Sequence, residues 1–234
     1  MFVQTLKQAM QRTWQAKTDL AKAIAIPVVL SYVLDVATYE IGNSDFAILS
    51  SLLVFMLAVM LAINVHRVLL LGSTSVPHWG RIAFGAIERK FIVYTLGYTF
   101  FMIGMGVLVY AFNMLVEPFG LLLSLVVAIG FALIACRLSI IFPAIAVGND
   151  VSVNWVWKKT EGKTGVLFLL LGIFPVFVGA LTQLLSLAGL YMLDLLLGYI
   201  AMVYFIAILS IAYENLTEGD NETRSDDQDM TIEL

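Results

Sequence analysis

The sequence of 234 residues contains few charges, because Lys, Arg, Asp and Glu make up only 13% of it, against about a quarter in soluble domains. Its one cysteine, Cys136, excludes an internal disulfide and a cysteine-bound metal cluster. The two histidines, His66 and His78, have no carboxylate at metal-ligand spacing, and the motifs HExxH, GxSxG, Walker A and GxGxxG are absent. These absences exclude a water-soluble enzyme and a secreted disulfide scaffold. We expect no catalytic residue, no metal site and no cofactor.

Hydrophobic residues, by contrast, make up 61% of the chain and occur in long runs. A bilayer core about 30 Å thick requires about 20 apolar residues per helix, and six runs reach that length. They are 21–39, 46–72, 91–116, 119–147, 165–187 and 190–213. The breaks after the first, third and fifth runs are short, as in antiparallel hairpins. The predicted fold is therefore all-α: a polytopic membrane protein with six transmembrane helices arranged as three hairpins.

The 13 Lys and Arg residues all lie in or beside four segments, 1–20, 73–90, 148–164 and 214–234. The positive-inside rule predicts that these segments are cytoplasmic, which places both termini on the cytoplasmic side. We divide the chain into an amphipathic interfacial helix (1–20), a transmembrane domain (21–213) and a cytoplasmic tail (214–234). The tail has eight acidic residues and one arginine and no apolar periodicity, so we expect it to be disordered. It is either simply solvated or folds back over the basic face.

The three segments before the hairpins combine cations with interfacial aromatic residues. In 1–20, an apolar face is predicted to lie in the headgroup layer; it consists of Phe2, Val3, Leu6, Met10 and Trp14. A second amphipathic helix is predicted from Pro77 within 73–90, and a third within 149–162, capped by Asn149 or Asp150 and ended by Gly162. Such elements favour contact with anionic lipids. The candidate interfacial residues are Lys7, Arg12, Trp14, Lys17, Trp79, Arg81, Arg89, Lys90, Trp155, Trp157, Lys158, Lys159 and Lys163.

Ionisable residues inside membrane spans are costly and are candidates for function. Arg67 and Arg137 lie at the predicted inner ends of spans two and four, where a guanidinium suits a lipid phosphate or free helix carbonyls. Asn64 is one turn before Arg67, and His66 is adjacent to it. These four residues are candidates for lipid-phosphate binding or for helix packing. Asp35 and Asp194 lie toward the outer ends of spans one and six, too far in depth to pair directly with the arginines.

Two groups of residues resemble a known family. The first is His66-Arg67 followed by Leu70-Leu71-Gly72; the second is Arg137, the run 142–146 (FPAIA), Ser152, and the run 157–162 (WKKTEG). They resemble the bacterial inner-membrane proteins of the YciC type, which are related to the membrane domain of glycerophosphodiester phosphodiesterases. The resemblance implies a six-helix module of a bacterial inner membrane without the phosphodiesterase catalytic domain. It implies no substrate.

Three functional hypotheses remain open. The first is a non-catalytic inner-membrane protein that contacts lipids, preferably anionic ones, or docks a protein partner through its basic cytoplasmic face; a nucleic-acid partner is not expected. The second is an accessory subunit of a larger membrane complex. The third is a small transporter or channel. Its basis is the amide of Gln183 and the glycines and proline of spans three and five, which allow either close helix packing or a cavity: Gly97, Gly104, Gly106, Gly172, Pro175 and Gly179.

Overall fold

The structure is a computed structural model that describes residues 2–115 and 119–218. The described chain is helical and contains no strand. Its helices are α1 (Phe2–Gln15), α2 (Lys17–Ile41), α3 (Ser44–Leu71), α4 (Ala86–Leu115), α5 (Gly120–Leu138), α6 (Ile141–Ala146), α7 (Val153–Lys159), α8 (Thr164–Phe168), α9 (Phe174–Leu187) and α10 (Tyr191–Thr217). A 3₁₀ turn follows α3 (Ser73–Ser75), and a π turn joins α8 to α9 (Leu169–Ile173).

Six of the helical stretches are long and apolar enough to cross a membrane, which confirms the predicted spans. They are α2, α3, α4, α5 with α6, α8 with the π turn and α9, and α10. The pairs α2–α3, α4–α5 and α9–α10 pack side by side as the three predicted hairpins. The chain is therefore an all-α, multi-pass membrane protein by its fold.

The sequence explains where the first hairpin turns. Gly42 ends α2 with a φ of +62°, a backbone conformation that favours glycine, and its N–H donates to the carbonyl of Thr38. Asn43 then caps α3, because its side-chain oxygen accepts from the N–H groups of Asp45 and Phe46. Gly189, with a φ of +76°, makes the corresponding turn between α9 and α10, which confirms the break predicted after the fifth apolar run.

Prolines account for two irregularities inside the spans. Pro143 has no N–H to donate to the carbonyl of Ser139, and the chain breaks between α5 and α6 at that point; Ser139 accepts instead from the N–H of Phe142. Pro175 follows the π turn, in which the N–H of Phe174 donates to the carbonyl of Leu169, five residues back.

The buried core lies at one end of the bundle. Buried side chains concentrate in residues 59–69 of α3, 135–146 of α5 and α6, and 206–216 of α10, whereas the rest of the spans are largely exposed on their outer surfaces. Helix α1, residues 72–85 and α7 all contact this end. We call it the basic end, because the Lys and Arg residues of the described chain lie there.

Four predicted boundaries are wrong. The predicted helix from Pro77 does not form: 76–85 is irregular, since Gly80 has a φ of +80° and neighbouring backbone groups bond to a side chain of α3. In 149–162, the helix starts at Val153 with Ser152 as its cap and ends at Lys159, three residues before Gly162. Helix α1 ends at Gln15 and α2 begins at Lys17, not at 21.

The fourth boundary is that of the tail, because α10 continues to Thr217 and residues 214–217 are helical. The remainder of the tail, 219–234, lies outside the described residues, as does the break predicted at 117–118 between spans three and four.

Candidate functional site

Asn64 lies fully buried where α2, α3 and the irregular segment 76–85 meet. Pro27 of α2 has no N–H, which leaves the carbonyl of Ala23 without its normal helical partner. The side-chain amide of Asn64 donates to that carbonyl at 3.1 Å. It also accepts from the N–H of Arg81 at 2.9 Å and donates to the Arg81 carbonyl at 3.4 Å. Asn64 therefore supplies the hydrogen-bond donor that Pro27 lacks, and the same side chain holds the segment 76–85 against α2 and α3.

Gly80 allows that close approach. A Cβ at this position would lie 2.1 Å from the carbonyl oxygen of Ala23 and 2.7 Å from Nδ2 of Asn64. Both distances are shorter than any van der Waals contact, and the φ of +80° already favours glycine. The segment 76–85 is thus held against α2 by backbone geometry that only glycine adopts without strain.

Arg67 binds carbonyl groups of its own chain. Its Nε donates to the carbonyl of Ser75 at 3.3 Å, and its Nη1 donates to the carbonyl of Ala146 at 3.1 Å. Ala146 is the last residue of α6, where helix carbonyls lack intrahelical partners. The guanidinium therefore joins the ends of α3 and α6, which is a packing role.

Arg137 makes the equivalent connection from α5 to α7. Its Nε donates to the hydroxyl of Thr160 at 2.6 Å, and its second guanidinium nitrogen donates to the carbonyl of Trp157. The guanidinium carbon also lies 3.7 Å from the centroid of the Trp157 ring, a cation–π contact. Arg137 thus positions α7, with its exposed tryptophan, against the end of α5.

His66 lies in the bundle core, not at the interface. Its side chain is 1% exposed, and its Nδ1 is 2.8 Å from the hydroxyl of Ser210 on α10. Ser210 in turn donates to the carbonyl of Ile206. The four candidates near the inner ends of spans two and four are thus all in contact with other parts of the chain, and His66 and Asn64 are fully buried.

Among the described residues, the ion pairs Arg12–Glu214, Arg81–Glu88 and Lys90–Asp150 join elements of the basic end. Arg12 of α1 pairs with Glu214 of α10 at 2.8 Å, and Arg81 pairs with the buried Glu88 at 2.5 Å. Lys90 of α4 pairs with Asp150, before α7, at 2.5 Å. Lys90 lowers the pKa of Asp150, first through the hydrogen bond and then through its charge. Because Asp150 is 99% exposed, water screens this third pair strongly.

Helix α1 packs on α10 through small side chains. Thr5, Ala9 and Thr13 are buried, and Asn215 of α10 donates to Thr5 and to the side chain of Gln8. The opposite face carries Val3, Met10 and Trp14, the last of which is 66% exposed. Lys17 lies 4.1 Å from the centroid of the Trp14 ring. Three of the five residues predicted for the apolar face, Val3, Met10 and Trp14, therefore point away from the bundle, as an interfacial helix requires. The other two, Phe2 and Leu6, are partly buried and pack against the bundle core, so the predicted face is correct only in part.

Exposed apolar side chains recur on each of the three surface elements of the basic end. They are Val3, Met10 and Trp14 on α1, Trp79, Ile82 and Phe84 in 76–85, and Val153 and Trp157 on α7. Exposed cations that form neither an ion pair nor a ring contact with a described residue lie beside them: Lys7, Lys22, Arg89, Lys158 and Lys163. We call these thirteen residues the collar. Trp155 and Lys159 are partly buried on α7 and are not part of it.

Three of the cavities between the spans are lined mainly by apolar side chains. One of about 330 Å³ lies between α4 and α6, one of about 280 Å³ between α9 and α10, and one of about 260 Å³ between α5 and α9. Gly97 borders the first and Gly179 the second, so these glycines border cavities and do not bring helices close together. Gln183, whose side-chain amide was one basis of the transporter hypothesis, lies on the exposed surface of α9. These cavities offer no polar path for a solute.

The opposite end of the bundle holds contacts that sequence reasoning missed. Tyr199 of α10 donates to Asp35 of α2 at 2.6 Å, and the rings of Tyr39 and Tyr191 stack with centroids 4.3 Å apart.

Within residues 2–115 and 119–218, no three His, Cys, Asp or Glu side chains gather as a metal ion requires.

Comparison with known proteins gives no relative: no protein-family model, no curated protein and no solved structure matches the chain. The function must therefore be argued from the geometry of the basic end.

Proposed function

We propose that this protein is a non-catalytic, multi-pass protein of a bacterial inner membrane that binds anionic lipids through its basic end. The orientation follows from the 13 Lys and Arg residues, which avoid every connection at the opposite end and so favour a cytoplasmic location for both termini. The bacterial inner membrane is the membrane expected from the resemblance to the YciC type.

The collar is the observation that carries this proposal. Three separate elements each expose at least one tryptophan at the same end of the bundle, and each has beside it a cation without an ion pair in the described chain. Tryptophan favours the headgroup layer, and exposed Lys and Arg attract anionic lipids, each contributing about 1 kcal/mol near the surface. Arg12 and Arg81 support this arrangement differently, since their ion pairs with Glu214 and Glu88 hold α1 and 76–85 in place.

The two arginines at the ends of α3 and α5 have a positioning role in this proposal. Arg67 and Arg137 donate to carbonyls and a hydroxyl of the chain, which fixes the elements that expose the collar. Lipid phosphates would then meet the cations of the collar and not these two guanidinium groups. A protein partner that docks on the same face remains the alternative interpretation of the same cations.

The test is lipid retention by a charge variant of the collar. Lys7, Lys158 and Lys163 are replaced together by Gln, and the lipids that remain bound after gentle extraction are quantified. We expect the enrichment of anionic over zwitterionic lipid to fall by roughly fivefold per cation at low salt. The matched control replaces the same three residues by Arg and should retain the enrichment. Equal enrichment in the Gln variant and the wild type would refute lipid binding by the collar.

A further inference from the structure

The cavity between α4 and α6 is an apolar groove that runs along one face of α4. Its lining includes Tyr94, Gly97, Tyr98 and Phe101 of α4, Phe142 of α6 and Val153 of α7. From Val153, at the basic end, it extends over about eight residues of α4, or about 12 Å toward the middle of the membrane. Its volume of about 330 Å³ lies within the roughly 300–1,000 Å³ typical of ligand sites.

Two cations lie where this groove meets the basic end. Arg89 is four residues before Val93, which lines the groove, and Lys90 is four residues before Tyr94. Residues four apart share a helix face, so both cations lie one turn beyond the end of the lining. The cavities between α9 and α10 and between α5 and α9 have no Lys or Arg within four residues of any lining residue. Charge thus distinguishes the α4–α6 groove from these two apolar cavities.

We propose that the α4–α6 groove holds one acyl chain of an anionic phospholipid, whose phosphate lies on Arg89 and Lys90. This inference rests on the proposed function, because it names a specific site within the lipid-binding face. The apolar lining suits a hydrocarbon chain, and the orientation of the groove places the headgroup at the depth of the collar. Arg89 forms no ion pair with a described residue, so its charge is available to a phosphate.

The Lys90–Asp150 pair is compatible with such a ligand. Asp150 is 99% exposed, so the pair is worth little in water and a phosphate can replace the carboxylate on Lys90. With Asp150 displaced, the mouth of the groove presents two positive charges to one phosphate. An anionic headgroup is therefore preferred to a zwitterionic one, whose amine would meet the same cations.

Gly97 provides a substitution that fills the groove. A Cβ there meets no atom within 4 Å, so a leucine side chain enters the open space without a backbone clash. Gly104 is the matched control: it lies on α4 two turns further along, a Cβ there is equally free, and it does not line the groove. Both changes replace glycine by a better helix former and should leave the fold intact.

The experiment counts tightly bound lipids by native mass spectrometry, with delipidated full-length protein titrated with phosphatidylglycerol. We expect Gly97→Leu to bind one lipid fewer than the wild type and Gly104→Leu to bind the same number. Arg89→Gln should weaken that one site about fivefold, the effect of a single cation near an anionic headgroup, and Arg89→Lys should weaken it less. If Gly97→Leu and Gly104→Leu bind the same number, the groove is not a lipid site.

A second measurement uses the unaltered protein. A phosphatidylglycerol with a photoreactive group in its acyl chain should label the peptide that contains residues 93–101, and unlabelled phosphatidylglycerol should compete better than phosphatidylcholine. Labelling confined to other peptides, or equal competition by both lipids, would overturn the inference. If the triple Gln variant loses anionic lipid while Gly97→Leu binds as many lipids as the wild type, the lipid site in the groove is refuted and the proposed function is not. Unchanged enrichment in the triple Gln variant would refute the proposed function itself.

Discussion

Replacing Asn64 by Leu should destabilise the protein because it leaves the carbonyl of Ala23 and the N–H of Arg81 without their hydrogen-bond partners. Pro27 removes the normal donor to the carbonyl of Ala23, and Asn64 supplies the substitute at 3.1 Å. The N–H of Arg81 also loses its acceptor, at 2.9 Å. A polar group left unpaired in the interior costs about 1–3 kcal/mol, so the two groups together should lower the free energy of unfolding by about 2–6 kcal/mol. Leu keeps the volume, so a cavity contributes little.

A double-mutant cycle with Pro27→Ala tests this reasoning. The alanine introduced there has an N–H that can donate to the carbonyl of Ala23, so the second change should recover about 1–3 kcal/mol in the Asn64→Leu background. Pro27→Ala alone should change stability much less, since Asn64 already satisfies the carbonyl. Reversible unfolding in mixed micelles, followed by circular dichroism, measures each free energy. Additive effects of the two substitutions would refute the link between the proline and the asparagine.

Three further changes test other contacts of the basic end. Gly80→Ala should lower the free energy of unfolding by roughly 3 kcal/mol, because a Cβ would lie 2.1 Å from a carbonyl oxygen of α2. Gly42→Ala, with a positive φ but open space around it, should lower it by about 1 kcal/mol. Equal losses would contradict the close approach at Gly80. Lys90 lowers the pKa of Asp150 in the folded protein. The contribution of this carboxylate to folding stability is therefore fully present above pH 3.8, the ordinary pKa of the group, and is lost as the pH falls further. Asp150→Asn should therefore remove a small part of the acid sensitivity of unfolding, and an identical pH profile would contradict this. Arg137→Lys loses the planar stacking on a tryptophan ring and should cost about 1–2 kcal/mol in thermal or detergent unfolding; a neutral result would contradict the contact.

The six spans could be predicted from the sequence because bilayer thickness sets their length. Their ends were also predictable where glycine or asparagine stops a helix, as at Gly42 and Asn43. The segment from Pro77 could not be predicted, because a proline before an amphipathic pattern favours a helix. The contact that prevents a helix there comes from Asn64, in another span.

The sequence predicted where the candidate residues of the basic end lie along their helices, but it did not predict which groups they bond to. Arg67 and Arg137 were correctly placed at helix ends, yet their acceptors at Ala146 and Thr160 are 79 and 23 residues away in sequence. One long-range signal was present: Pro27 leaves the carbonyl four residues earlier without a donor, which predicts a polar side chain nearby. It does not predict which side chain supplies the donor.

Orientation in the membrane is the claim on which the lipid-binding account depends. A cysteine at Asp45, at the end of the bundle opposite the collar, should react with an impermeant thiol reagent in intact cells. A cysteine at Lys158 should react only after permeabilisation, and the native Cys136, which is 4% exposed, should react in neither case. Labelling of Lys158→Cys but not of Asp45→Cys in intact cells would contradict the account.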